Sequence, residues 1–410
     1  MSARRGGGRG GMFADGAALG GSATVTALAG LLGWLIAARM LPQAQVGEAS
    51  GFVNAFKMVA AISELGLAFG LLRWLPRAGS AGATLVTRCF VVTVALGLVV
   101  AAVWFLVQPG TIPAASEPLP WLAAGGLFVL GAVSWALFSL QDDALTGLGW
   151  ARWVPVENVT FAVVRIGLLV ALAPLLGALG IVLSWVVPVV IGVVVVTTLM
   201  LRRARRATGP ALLPGRQEVA GLVGPAYTAH LAVSVAGNVI PLVAIARFGT
   251  EVGAAFFVVW TGLQALEFAT TGFGNSLAIR IAADADDRRG LIRHLAVRVA
   301  MVLVPTLALA ALLADVIMGL FGASYLSMTP LLRWVLLGFA ARAAVLIVVA
   351  VHTGAGRGFR LGLLHVVNAA GLMVAALVTP DVTTIGVLYV CWQVLCAVGA
   401  AVDLARVERR

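Results

Sequence analysis

The sequence predicts an all-α integral membrane protein, with about 12 transmembrane helices in two six-helix lobes related by a parallel internal repeat. Three observations carry this reading. Hydrophobic residues make up 61% of the 410-residue chain and charged residues 11%, with a mean hydropathy of +1.03, more apolar surface than one water-soluble core can bury. The arginines fall in alternate gaps between apolar stretches: Arg4, Arg5 and Arg9; Arg73 to Arg88; Arg152; Arg202 to Arg216; Arg280 to Arg298; Arg357 and Arg360; and Arg406 to Arg410. The intervening gaps hold only Arg39 and Arg247. Finally, short motifs return at offsets between 203 and 208.

A spanning helix needs roughly 20 mostly apolar residues. The first falls at 17–38, where the RRGGGRGG lead-in imitates a signal peptide, but the apolar run from Ala17 to Ala38 is too long for one and lacks a cleavage signature. The second, 49–72, carries Lys57 and Glu64; the third, 86–107, follows an Arg-bearing gap; the fourth, 119–141, stops before Thr146-Gly147-Leu148-Gly149. The fifth and sixth, 154–174 and 178–201, are separated by a short turn. The stretch LRRARRATGPALLPGRQE is the longest polar segment and sits at the midpoint, so it reads as a basic linker, 206–218, between an N-terminal lobe (1–205) and a C-terminal lobe (219–410). The second six spans fall at 219–246, 252–279, 295–314, 329–351, 360–379 and 384–402. Loops rich in Arg translocate poorly, which predicts a multi-pass protein of the plasma membrane with both termini cytoplasmic.

The lobes read as a duplication. Thr146-Gly147-Leu148-Gly149 returns as Thr353-Gly354-Ala355-Gly356, and Arg39 through Val46-Gly47-Glu48-Ala49 returns as Arg247 through Val252-Gly253-Ala254-Ala255. Glu64 and Glu267 lie at matching depths. Six is even, so both copies insert in the same orientation, the arrangement of transporters that hold substrate between two lobes.

Ionisable groups within hydrocarbon cost at least ~2.5 kcal/mol each, so they face a protein interior or a water-filled cavity. Here they are Lys57, Glu64, Glu157, Arg165, His230, Glu267, Arg333 and Arg342. Lys57, the chain's one lysine, lies seven residues from Glu64 and therefore on the same helix face, either pairing with it or lining a cavity. Arg165 and Arg342 lie near the middle of their helices, with Asn158 two turns from Arg165. Two arrangements satisfy these guanidinium groups. With Lys57 and Asn158 they bind a phosphate-bearing substrate, which guanidinium matches in bidentate fashion, or they pair across helices with Glu64, Glu157 or Glu267. The three glutamates are also candidates for binding a coupling proton or sodium ion.

The segments LLGWLIAARMLPQAQVGEASGFVNAF and ELGLAFGLLRWLP resemble the first two helices of the polysaccharide transporters, the Wzx-like flippase branch of the multidrug/oligosaccharidyl-lipid/polysaccharide exporter (MOP) superfamily. The match includes that family's Arg-x-Leu-x-x-x-x-x-Gly connection at Arg39, Leu41 and Gly47. RFGTEVGAAFFVVWTGLQ is similar to its connection between helices seven and eight, and LFGASYLSMTPLLRWVLL to its Phe-Gly-x-x-Tyr approach to helix ten. The resemblance covers nearly the whole chain. It implies an exporter that flips an isoprenoid-pyrophosphate-linked oligosaccharide to the outer face by alternating access for cell-surface polysaccharide assembly, with glycan polymerase and glycosyltransferases as partners.

Two other classes are compatible with the composition. A multidrug and toxin extruder shares the architecture but needs acidic groups to dominate its cavity. A polytopic glycosyltransferase or polymer ligase carries large outer loops with catalytic carboxylates, whereas the longest outer gap, QPGTIPAASEPLP, holds one, Glu117. Asp284-Ala285-Asp286-Asp287 lies beside Arg288 and Arg289 and reads as a solvated charge run. The net charge of +11 is spread over loops and tails, which speaks against nucleic acid and for contact with plasma membrane lipids. Cys89, Cys391 and Cys396 lack ligand spacing, and no phosphate-binding loop contains a lysine. The chain is thus read as a non-enzyme without cofactor or metal.

Overall fold

The computed structural model describes residues 27–108, 120–283 and 288–408. The start of the first expected span, the basic N-terminus, Glu117, the acidic run 284–287 and the last two arginines lie outside them. The described residues form helices and contain no strand. Hydrocarbon offers no partners for backbone N–H and C=O groups, so an apolar chain satisfies them within helices.

The helices are α1 (Ala27–Met40), α2 (Gln43–Ser63), α3 (Leu67–Trp74), α4 (Gly82–Val107), α5 (Trp121–Gly147), α6 (Trp153–Leu176) and α7 (Ala178–Ala204). The second half comprises α8 (Arg216–Ser234), α9 (Ile240–Phe248), α10 (Thr250–Ala283), α11 (Arg288–Leu312), α12 (Ala314–Phe321), α13 (Thr329–Gly354), α14 (Gly358–Val378) and α15 (Val382–Glu408). Among the described residues ten segments are long and apolar enough to cross a membrane by themselves, and α2 with α3 makes one further, bent span. With α1, these occupy all twelve expected positions.

Three departures from straight helices bear on the cavity and its ends. Leu65 (φ 48°) and Gly66 (φ 70°) end α2 in the left-handed region, so α3 restarts at an angle of 52°. Pro241 has no N–H to give to the helix before it. There the chain widens into a π-turn at Val235–Val239, whose Ala236 and Gly237 carbonyls accept from Trp260 Nε1 and Gln264 Nε2 of α10, both at 2.9 Å. Gly322 (φ 142°) separates α12 from a 3-10 segment, Ala323–Met328, that leads into α13.

The duplication is visible at the level of single hydrogen bonds. At the end of α5, Gly149 (φ 75°) donates to Thr146 O and Trp150 to Leu145 O; at the end of α13, Gly356 (φ 68°) donates to Thr353 O and Arg357 to His352 O. Both are left-handed C-caps with paired backbone bonds. Gly147 lies against the Leu71 carbonyl and Gly354 against that of Ala278, again 207 residues apart.

The first half packs around Phe52, Phe56, Phe128 and Trp185, the second around Phe256, Trp260, Phe339 and Tyr389. α1 belongs to both: Trp34 and Ala37 join the first core, while Leu31 and Leu35 pack on the second. The α3–α4, α5–α6 and α7–α8 connections, which carry Arg77, Arg152 and Arg205, gather at one end of the bundle, where Arg203 lies over the Trp150 ring at 4.9 Å. There the α7–α8 connection runs past the α3–α4 turn, where Leu212 N donates to Ala78 O, and α8 begins at Arg216, inside the stretch expected to be linker.

At the opposite end the halves are locked together. Arg39 of α1 donates to the Leu320 and Gly319 carbonyls at the end of α12, Gln43 Nε2 donates to Glu251 O at 2.7 Å, and Gly47 of α2 sits directly on the Thr250 carbonyl. A methyl group at Gly47 collides with that backbone. Gly47→Ala is therefore expected to lower the thermal midpoint in detergent by a few degrees, in keeping with the ~1–3 kcal/mol typical of overpacking, whereas Gly262→Ala, which meets nothing within 4 Å, leaves it unchanged or raised.

Candidate functional site

Between the halves lies a cavity of about 600 Å³. Asn54, Lys57, Ala61 and Glu64 of α2 line it at spacings of three and four, one continuous helix face. From Asn54 to Glu64 this face rises about 15 Å, so the cavity runs from mid-bundle toward the Arg-rich end. There it reaches Leu72, Thr146 and Val154.

Its deep end is aromatic. Trp34 meets Phe257 edge-on at 4.7 Å between centroids, and Trp135 lies 5.5 Å from Trp185. Two cations lean on this wall. Lys57 Nζ stands 4.1 Å from the Trp185 ring centre and 4.8 Å from that of Trp135, and the Arg165 guanidinium carbon 4.5 Å from Trp185. Ring faces attract cations most strongly where water is scarce. Arg165 also donates through Nη2 to the Ala29 and Gly30 carbonyls of α1, at 2.9 and 3.3 Å. Gly33 makes this possible, because any side chain there meets the guanidinium.

The wider part of the cavity is acidic. Glu64, at the break between α2 and α3, lies 3.2 Å from His230 Nε2 of α8, and beside it Tyr227 donates to Ile62 O at 3.2 Å. Asp142 accepts from Asn158 Nδ2 at 3.1 Å. Asp143 also lines the cavity and accepts no hydrogen bond among the described residues. Three carboxylates thus face two cations and one histidine.

Of the residues expected from sequence, Lys57, Arg165, Asn158 and Glu64 come together here. Lys57 does not pair with Glu64: two helical turns separate them, and His230 takes the carboxylate. Arg342 lies elsewhere, buried between α10 and α13, where Nε bonds Glu267 Oε1 at 2.6 Å. They form the cross-helix pair, the second of the two arrangements expected, and neither lines this cavity. Glu157 is also off the cavity wall, with both carboxylate oxygens buried.

Asp142, Asp143 and the tryptophans Trp34, Trp135 and Trp185 are additions that the sequence reading lacked. It ended the fourth span at 141, where the acids begin, but α5 continues to Gly147. The Thr-Gly-Leu-Gly cap was the available signal, since it marks a helix end one turn beyond the acids.

No protein-family model matches the sequence, and no curated protein matches it. Solved structures do. One is a multidrug-resistance MATE family transporter of the MOP superfamily in its inward-facing conformation, at 16% identity and TM-score 0.69, covering 94% of this chain and 96% of that one. The fold is that of the MATE transporters. A Vibrio cholerae MATE transporter mutant matches at 16% identity and TM-score 0.64, over 97% of this chain and 98% of that one. A MOP superfamily transporter from Pyrococcus furiosus, described as having a binding pocket of reverse polarity that suggests a different function, matches at 14% and 0.64, over 94% and 93%. The structures this chain resembles are MATE or other MOP transporters.

The contrasting surroundings of Arg342 and Lys57 have separable consequences. Arg342→Ala strands Glu267 and is expected to cost roughly 3 kcal/mol or more of stability; Arg342→Ala with Glu267→Ala recovers part of that loss in a double-mutant cycle. Lys57→Ala, at the cavity surface, is expected to leave the folded yield within a few tenths of wild type. Thermal unfolding of the purified variants checks both.

Proposed function

We propose that the chain is an alternating-access exporter of amphipathic organic cations, working in the manner the MATE fold suggests. The observation that carries this is the convergence of Glu64, Asp142 and Asp143 on one aromatic-walled cavity between the halves. Aromatic faces accept flat or apolar bodies and carboxylates accept cationic groups. The same carboxylates can hold either a coupling cation or the substrate, so binding of one displaces the other and links export to an ion gradient. Glu64 is best placed for this, because its neutralisation loosens its bond to His230 across the two halves.

The cavity extends toward the Arg-rich end, which the distribution of positive charge assigns to the cytoplasm, and it is closed at the far end by the Arg39, Gln43 and Gly47 contacts. In that orientation the conformation is loaded from the cytosol. Release outside requires those contacts to part and the ends of α3, α5 and α6 to close on α8 and α10. Such a cycle fits two six-helix lobes, 1–205 and 219–410, moving about the basic segment between them.

A second reading keeps the flipping of a lipid-linked oligosaccharide, and Lys57 and Arg165 favour it, since both reach the deep wall without a carboxylate partner among the described residues. With Arg342 bound to Glu267, however, the positive charge available to a pyrophosphate is smaller than three cations would supply.

The two readings separate in cells lacking the protein. The proposal expects raised sensitivity to amphipathic cationic compounds, reversed by the wild-type gene, and export reduced roughly tenfold or more by Asp142→Asn or Asp143→Asn at unchanged protein level. Unchanged sensitivity together with lipid-linked oligosaccharide accumulating on the cytoplasmic face overturns it in favour of flipping.

A further inference from the structure

On the outer surface of the first half, α4 and α7 leave a groove of about 420 Å³ that shares no residue with the cavity. Thr87, Val91, Val94 and Leu98 of α4 line it at spacings of four and three, facing Thr197 and Leu201 of α7. Val91 is 60% exposed and Leu98 48%, so no described helix covers this face. From Thr87 to Leu98 the groove rises about 16 Å, close to one leaflet's half of a hydrocarbon core ~30 Å thick.

Charge is confined to one end. Arg88 follows Thr87 in α4, and Arg205, the residue that caps α7, lies one turn beyond Leu201. Both are exposed, and neither pairs with a carboxylate among the described residues. Toward Val107 α4 carries no charged residue at all. A leaflet-long apolar groove headed by two free guanidinium groups has the shape and polarity of a single lipid.

We propose that this groove binds an anionic phospholipid of the bilayer, one acyl chain lying along α4 and the phosphate held by Arg88 and Arg205. A second copy of the chain is a poorer occupant. Two copies related by an axis along the membrane normal bring the same arginines to the same level, so like charges meet across the interface. The lipid site stands apart from the transport reading, because none of its residues takes part in the proposed cycle.

The test uses the delipidated full chain in detergent, with phosphatidylglycerol or phosphatidylcholine of identical acyl chains added back. Thermal midpoint and retained lipid, counted by native mass spectrometry, are the readouts. Phosphatidylglycerol is expected to raise the midpoint by several degrees more than phosphatidylcholine and to remain bound at about one per chain. Arg88→Gln with Arg205→Gln is expected to weaken its retention roughly tenfold while leaving the midpoint in phosphatidylcholine unchanged. Val94→Trp, which fills the groove, is expected to reduce retention with both arginines intact. Equal effects of the two lipids, a double variant that keeps the preference, or a Val94→Trp effect on dimer content alone each overturn the proposal.

Discussion

Backbone carbonyls that lose their helical partners inside hydrocarbon must find another donor, and this constraint organises the molecule. At each departure from a regular helix a neighbouring side chain supplies the bond. Tyr227 donates to Ile62 O at the α2–α3 break, Trp260 and Gln264 to the π-turn, and Arg39 to the end of α12. Arg247, the repeat counterpart of Arg39, donates to Ala376 O near the end of α14 at 2.7 Å. Two of these bonds tie one half of the chain to the other. Some of the groups that repair the backbone therefore also hold this conformation, and opening at the sealed end has to exchange the Arg39 bonds for water.

The same accounting applies to charge. Arg342 and Glu267 neutralise one another in the packed interior, where an unpaired ion is costly. Arg165 spends its charge on α1 carbonyls and on an indole, and Lys57 stands between two indoles. The carboxylates are treated differently, since Glu64, Asp142 and Asp143 are gathered where the cavity admits water. An acidic mouth leading to an aromatic wall suits molecules with an apolar body and a cationic group.

Much of this was legible in the residues. The positions of the helical spans followed from hydropathy and arginine spacing, ten of them long enough to cross alone among the described residues, and the duplication from Thr146-Gly147-Leu148-Gly149 and Thr353-Gly354-Ala355-Gly356, which adopt the same cap. Pairing of Arg342 with Glu267 stood as one of two arrangements that residue chemistry allowed, and only packing could choose between them. Other features depend on contacts that sequence does not display. Leu65 takes a positive φ although it is neither Gly nor Asn, and the π-turn owes its stability to side chains more than twenty residues away. Asp142 and Asp143 fell just beyond the expected end of the fourth span at 141, and it takes the fold to show that α5 carries them on to the cavity wall. The flippase resemblance rests on connections and helix approaches, which shape the fold, while the groups that would choose a cargo lie on the cavity wall.

The central claim is that the cavity between the halves is loaded from one membrane face and released to the other. Lys57, the one lysine of the chain, reports on it directly. In proteoliposomes of known orientation, a membrane-impermeant amine reagent supplied to the Arg-rich face should acylate Lys57, read on the peptide that contains it because a free α-amine also reacts; a substrate cation should protect it, and Lys57→Arg should remove that peptide's label. Imposing an ion gradient should transfer part of that reactivity to the opposite face. Reactivity from neither face, or from one face only regardless of substrate and gradient, would contradict the account.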